Sequence, residues 1–67
     1  MGDAKMTNGW PSRICAFDPE LNDYCIFELA GEHGPYLVYM STETGYNILI
    51  LKGEIWRYTD FSLCPEK

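Results

Sequence analysis

The residue types best suited to chemistry are few, beginning with one histidine, His33, set in the segment Gly31-Glu32-His33-Gly34-Pro35. A nucleophile and base pair would have to use it, with Cys25 or Ser41 as the attacking group, because a thiol or hydroxyl needs an adjacent base to be activated. No local motif places either residue beside it, and a histidine on a glycine-rich turn reads as a solvent-exposed side chain. Zinc would have to recruit Cys15, Cys25, His33 and Cys64, whose spacing contains neither a CxxC nor a CxxH knuckle. The glycines fit no phosphate-cradling pattern. Ten acids allow carboxylate pairs to be chosen at will, which is uninformative without a cleft to hold substrate. The expectation is a non-enzyme with no catalytic residue, no metal and no cofactor.

The acids themselves are more informative than any pair among them. Ten acidic residues against five lysines and arginines leave a formal net charge of -5, and no lysine or arginine lies between Arg13 and Lys52. That stretch holds Asp18, Glu20, Asp23, Glu28, Glu32 and Glu43. Such a surface repels phosphate backbones and anionic membranes, so direct binding to nucleic acid or membrane is disfavoured and a basic protein partner is expected. The plainer interpretation is that the acids keep a small domain soluble. A second set of candidates is aromatic: Tyr36, Tyr46, Trp56 and Tyr58 could anchor a partner, since aromatic side chains dominate interface energies. In a small barrel they could also cage a methylated lysine beside Glu54.

The elements that must position these groups read as strands. Residues 1–9 are polar and aperiodic, the pattern of a flexible arm, and residues 10–67 form a single small β domain. Trp10-Pro11 opens an extended segment, its ring laid on the domain. Arg13 to Phe17 is a first strand, and Asp18-Pro19-Glu20-Leu21 suits one helical turn or a type I turn. Tyr24 to Ala30 alternates, with Cys25, Phe27 and Leu29 on one face and Tyr24, Ile26 and Glu28 on the other. The segment 31–35 ends it. Tyr36 to Met40 is apolar throughout, as a strand covered on both faces would be. Ser41 to Gly45 turns into Tyr46 to Leu51, and Lys52-Gly53 reads as a tight connection to a fifth strand, Glu54 to Phe61. In that last strand each face would mix apolar and charged residues. The expected fold is all-β, an antiparallel meander of four to five strands, either curled barrel-like or completed by dimerisation.

Size and cysteine count set the remaining bounds. A chain of 67 residues usually needs help from disulfides, a metal, an oligomer or dense aromatic packing, and ten aromatic residues point to the last. Three cysteines leave at least one unpaired, unlike the even frameworks of secreted mini-domains. Cys15 and Cys25 are therefore read as small buried hydrophobes in a reducing, cytoplasmic setting. Apolar runs such as Ile48 to Leu51 are too short for a membrane helix, and no targeting signal is recognised at the N-terminus.

Three functions follow. The first is an acidic inhibitor or adaptor that occupies the basic nucleic-acid-binding surface of a larger protein, as phage-type inhibitors of restriction or CRISPR machinery would by size and charge. The second is an aromatic-anchored protein-interaction module. The third is a structural subunit of a homodimer or complex, joined through a strand edge.

Overall fold

The structure is a computed structural model that describes residues 6, 7 and 9–64, of which Met6 and Thr7 are described by backbone alone. Eight elements follow in order: β1 (Met6–Thr7), β2 (Trp10–Pro11), β3 (Arg13–Asp18), β4 (Asp23–His33), β5 (Tyr36–Ser41), β6 (Asn47–Leu51) and the 3-10 helices η1 (Lys52–Tyr58) and η2 (Phe61–Leu63). Strands β3 to β6 form one antiparallel meander in sequence order, curled into a half-barrel. β1 and β2 form a separate two-stranded ribbon. The backbone of Met6 and Thr7 is thus paired within the stretch read as an arm; residues 1–5 and 65–67 lie outside the described residues.

Period-2 alternation accounts for the sheet. Ile14 and Ala16 of β3, Cys25 and Phe27 of β4, Leu37 and Tyr39 of β5 and Ile50 of β6 point into the concave side and are buried there. Ile55 from η1 closes this core from the open side of the half-barrel, with Trp10, Leu29, Tyr46, Ile48 and Tyr58 packed around it. The hydroxyl of buried Tyr39 donates to the carbonyl of Pro11 at 2.6 Å and ties β2 to the sheet.

Three sequence expectations need correction. β4 does not stop at Ala30 but runs through Gly31 to His33. The register steps from Leu29↔Tyr39 to Gly31↔Val38, so Ala30 is the extra residue of a β-bulge. The turn itself is only Gly34-Pro35, with Gly34 at φ 60°, a fit to a two-residue hairpin that needs positive φ at its first central position alone.

The fifth strand is absent, and Lys52–Tyr58 is a 3-10 helix instead. Three residues per turn align positions i and i+3, which sorts the residues that alternation left mixed. Ile55 and Tyr58 face the core, Glu54 and Arg57 form an ion pair at 2.9 Å, and the Thr59 hydroxyl donates to the Trp56 carbonyl at 3.0 Å.

β5, finally, is covered on one face only. Leu37 and Tyr39 are buried, whereas Tyr36 and Met40 are exposed on the convex side.

The cysteines are also reassigned. Cys15 and Cys64 form a disulfide across 49 positions of sequence, and Cys25 is the buried free thiol. The odd count therefore hid a cross-link between β3 and the segment after η2. Disulfides persist in oxidising compartments, so the inference of a reducing setting loses its premise. No helix is long and apolar enough to cross a membrane among the described residues.

Candidate functional site

Up-and-down topology puts the β3–β4 turn (19–22) and the β5–β6 turn (42–46) at the same end of the sheet. Asp18 joins them. Its Oδ1 accepts from the backbone N–H of Glu20 at 2.9 Å and of Leu21 at 3.3 Å, which shapes the first turn. Its Oδ2 accepts from the Thr44 hydroxyl of the second turn at 2.6 Å. The Ser41 hydroxyl accepts from the amides of Glu43 and Thr44, each at 3.1 Å, and lies 3.3 Å from the Cys25 thiol. Every buried side-chain polar atom among the described residues has a partner.

This network sets the charge states. Burial pushes the Asp18 carboxyl up, but hydrogen bonds from Ser41, Thr44 and the amides of Glu20 and Leu21 outweigh it and hold the group below its ordinary value. The Cys25 thiol moves the other way: burial raises it, and the Asp18 and Glu43 charges add to that against a hydrogen bond to Ser41. A buried thiol held protonated is a poor nucleophile. His33 stands at the far end of β4, eight positions or roughly 25 Å along the strand from Cys25, and is exposed. Cys25, Ser41 and Asp18 are thus a polar pin between two turns. Among the described residues no group of three histidines, cysteines or acids is placed to hold a metal.

The six acids singled out by sequence fall into three situations. Asp18 is fully buried and structural, so it is not part of any surface patch. Glu28 lies across the β3–β4 ladder from Arg13, 3.9 Å from its Nε, and Glu32 pairs with Lys52 at 2.9 Å. Glu20, Asp23 and Glu43 are exposed in or beside the two turns pinned by Asp18, and have no ion-pair partner among the described residues. The acidic surface therefore contracts from a stretch of chain to one end of the sheet.

The four aromatic candidates are not brought together. Tyr36 sits on the convex face at the opposite end of the sheet from Tyr46, which packs on the core beyond the second turn. Tyr58 also packs on the core, while Trp56 is half exposed. Trp56 lies against Trp10 in a tilted pair with ring centroids 6.4 Å apart, a partner that sequence alone did not pair with it. The convex face carries a different apolar set: Phe17 and Tyr24, in an edge-to-face pair at 5.5 Å, then Met40, Leu49 and Leu51. Those residues were readable as the outward positions of alternating strands, had β5 been assigned a single covered face. Comparison with protein families, with curated proteins and with solved structures finds no match.

Proposed function

We propose that this chain is a small, non-catalytic protein-binding inhibitor or adaptor that applies its acidic end to a basic, nucleic-acid-binding surface of a larger protein. The observation that supports this reading best is the Asp18 pin. It couples two turns through the 2.6 Å contact to Thr44, so that Glu20, Asp23 and Glu43 share one end of the sheet with no cation paired to them among the described residues. Fixed carboxylates can take the place of phosphates against lysine and arginine clusters, and their attraction is steered and weakened by salt. The same charges disfavour nucleic acid or an anionic membrane as the direct partner.

A tagged full chain, used to capture partners at low and high salt, tests this reading. A basic nucleic-acid-binding protein should be retained at low salt and displaced by competing DNA or RNA. The triple variant Glu20→Lys, Asp23→Lys, Glu43→Lys should lose it by at least about 100-fold in affinity, since like-charge juxtaposition costs several kcal/mol. Retention of the partner by that variant would defeat the reading. A second reading, an apolar protein-interaction module, is favoured by the exposed Met40, Leu49 and Leu51 on the convex face. It requires capture that resists salt.

A further inference from the structure

The outer side of edge strand β6 has no pairing partner among the described residues. Among the described residues β6 pairs with β5 alone. The ladder is delimited by the Ser41 amide donating to the Tyr46 carbonyl at 2.8 Å and the Lys52 amide donating to the Pro35 carbonyl at 3.0 Å. In an antiparallel ladder hydrogen-bonded pairs alternate with non-bonded ones, so Ile48 and Ile50 direct their N–H and C=O groups into β5. Asn47, Leu49 and Leu51 direct theirs away from the sheet. The side chains of the same three residues lie on the convex face and are exposed, Leu49 at 56%.

We propose that this edge pairs with β6 of a second copy of the chain, antiparallel about a two-fold axis through Leu49. In that register Leu49 faces Leu49 and Asn47 faces Leu51 of the other copy, and each of the three pairs exchanges two backbone hydrogen bonds. The two half-barrels become one continuous eight-stranded sheet. Its convex surface carries Val38 and Leu49 of one copy beside the same residues of the other, flanked on each side by Tyr36, Leu51, Asn47 and Met40.

Charge selects the occupant. The chain carries a net charge of -5, so two copies can meet only where neither presents its acids. β6 and the convex positions of β5 beside it are without a charged residue, while Glu32 and Lys52 at their border are paired with each other. A basic partner would be drawn instead to Glu20, Asp23 and Glu43. The opposite edge does not compete, because β3 carries Arg13 and is clasped by η2 and the Cys15–Cys64 disulfide. Edge strands normally carry a charge, a proline or a bulge to prevent such pairing, and β6 has none of these. A short strand pair buries less than a standard interface of about 1,600 Å², the size of weak, reversible complexes, so the dissociation constant to be expected is micromolar, on the order of 1–100 µM.

Sedimentation of the full chain from low micromolar to about millimolar concentration should show a reversible monomer–dimer equilibrium in that range. Leu49→Lys sets like charges face to face at the axis and should weaken it by at least about tenfold. Amide hydrogen exchange of the unmodified chain provides a check that no substitution can confound. The Leu49 and Leu51 amides should exchange rapidly when dilute and become protected as dimer forms, while Ile48 and Ile50 are protected throughout. A chain that stays monomeric at millimolar concentration overturns the proposal, as does a dimer in which Leu49 and Leu51 remain unprotected. A dimer unaffected by Leu49→Lys overturns it equally.

Discussion

Asp18 is a buried carboxylate that accepts from the Glu20 and Leu21 amides and the Thr44 hydroxyl, so its ionisation and the stability of the acidic end are linked. Its folded value lies below the ordinary 3.8 that the unfolded chain would show. The unfolded state therefore binds the proton first as pH falls. The stabilisation is complete above pH 3.8 and disappears as pH drops through the lower folded value. Urea unfolding at pH 6 and pH 3 should show the native chain losing more stability on acidification than Asp18→Asn, which lacks this titration. Equal losses would assign acid sensitivity to the other carboxylates. Tyr39 illustrates the neutral counterpart. Burial pushes its hydroxyl up to about 12, so it stays a donor to the Pro11 carbonyl across the working pH range. Tyr39→Phe removes only that hydroxyl, and leaving a buried acceptor short of a partner should cost about 1–3 kcal/mol in denaturant unfolding.

At the scale of elements, the segment after β6 is the part whose placement depends most on tertiary contacts. η1 has no side-chain cap at its N-terminus and runs seven residues, longer than isolated 3-10 helices usually persist. It is held by Ile55 in the core and by the tilted Trp56–Trp10 pair. The Cys15–Cys64 bond then anchors the far end of the segment to β3. It closes a loop of 49 positions, and the loss of unfolded-state freedom in a loop of that length corresponds to about 4 kcal/mol. Cys15→Ala with Cys64→Ala should therefore unfold at markedly lower urea than the native chain, by about 2–4 kcal/mol. A double variant as stable as the native chain would show that Ile55 and the Trp pair alone suffice.

At the scale of the whole molecule, charge and apolar surface are segregated. Glu20, Asp23 and Glu43, without an ion-pair partner among the described residues, share one end of the sheet, Glu28 and Glu32 are paired along it, and the β6 edge is neutral. The two surfaces make separable predictions. Because Glu20, Asp23 and Glu43 are exposed, the triple lysine variant proposed for the binding test should fold normally, its unfolding free energy changed by no more than about 0.5 kcal/mol per site. It should also leave the β6 equilibrium in place. Leu49→Lys should do the reverse, weakening self-association while leaving the acidic end intact.

Local pattern determined much of this protein by itself. The alternation of Cys25, Phe27 and Leu29 with Tyr24, Ile26 and Glu28 is a property of any extended chain, so β4 was legible up to the bulge. Turn chemistry at Asp18-Pro19 and Gly45 located both turns of the acidic end, and the excess of acids over bases was readable by counting. Other features required distant parts of the chain to meet. Alternation and a three-residue period are hard to separate over eight residues, so only the vacancy in the half-barrel that Ile55 fills made Glu54 to Tyr58 a helix rather than a strand. Cys15 and Cys64 are far apart in sequence, and only the return of the C-terminal segment to β3 brings them together. Asp18 looked like one more surface acid, because a carboxylate's burial depends on donors from a turn 26 positions away. The sequence thus specified strands, turns and total charge, which depend on neighbours a few residues apart. Tertiary structure decided which acids are buried or ion-paired, which cysteine is unpaired and which strand lies at the edge of the described sheet, because each depends on what lies across the sheet.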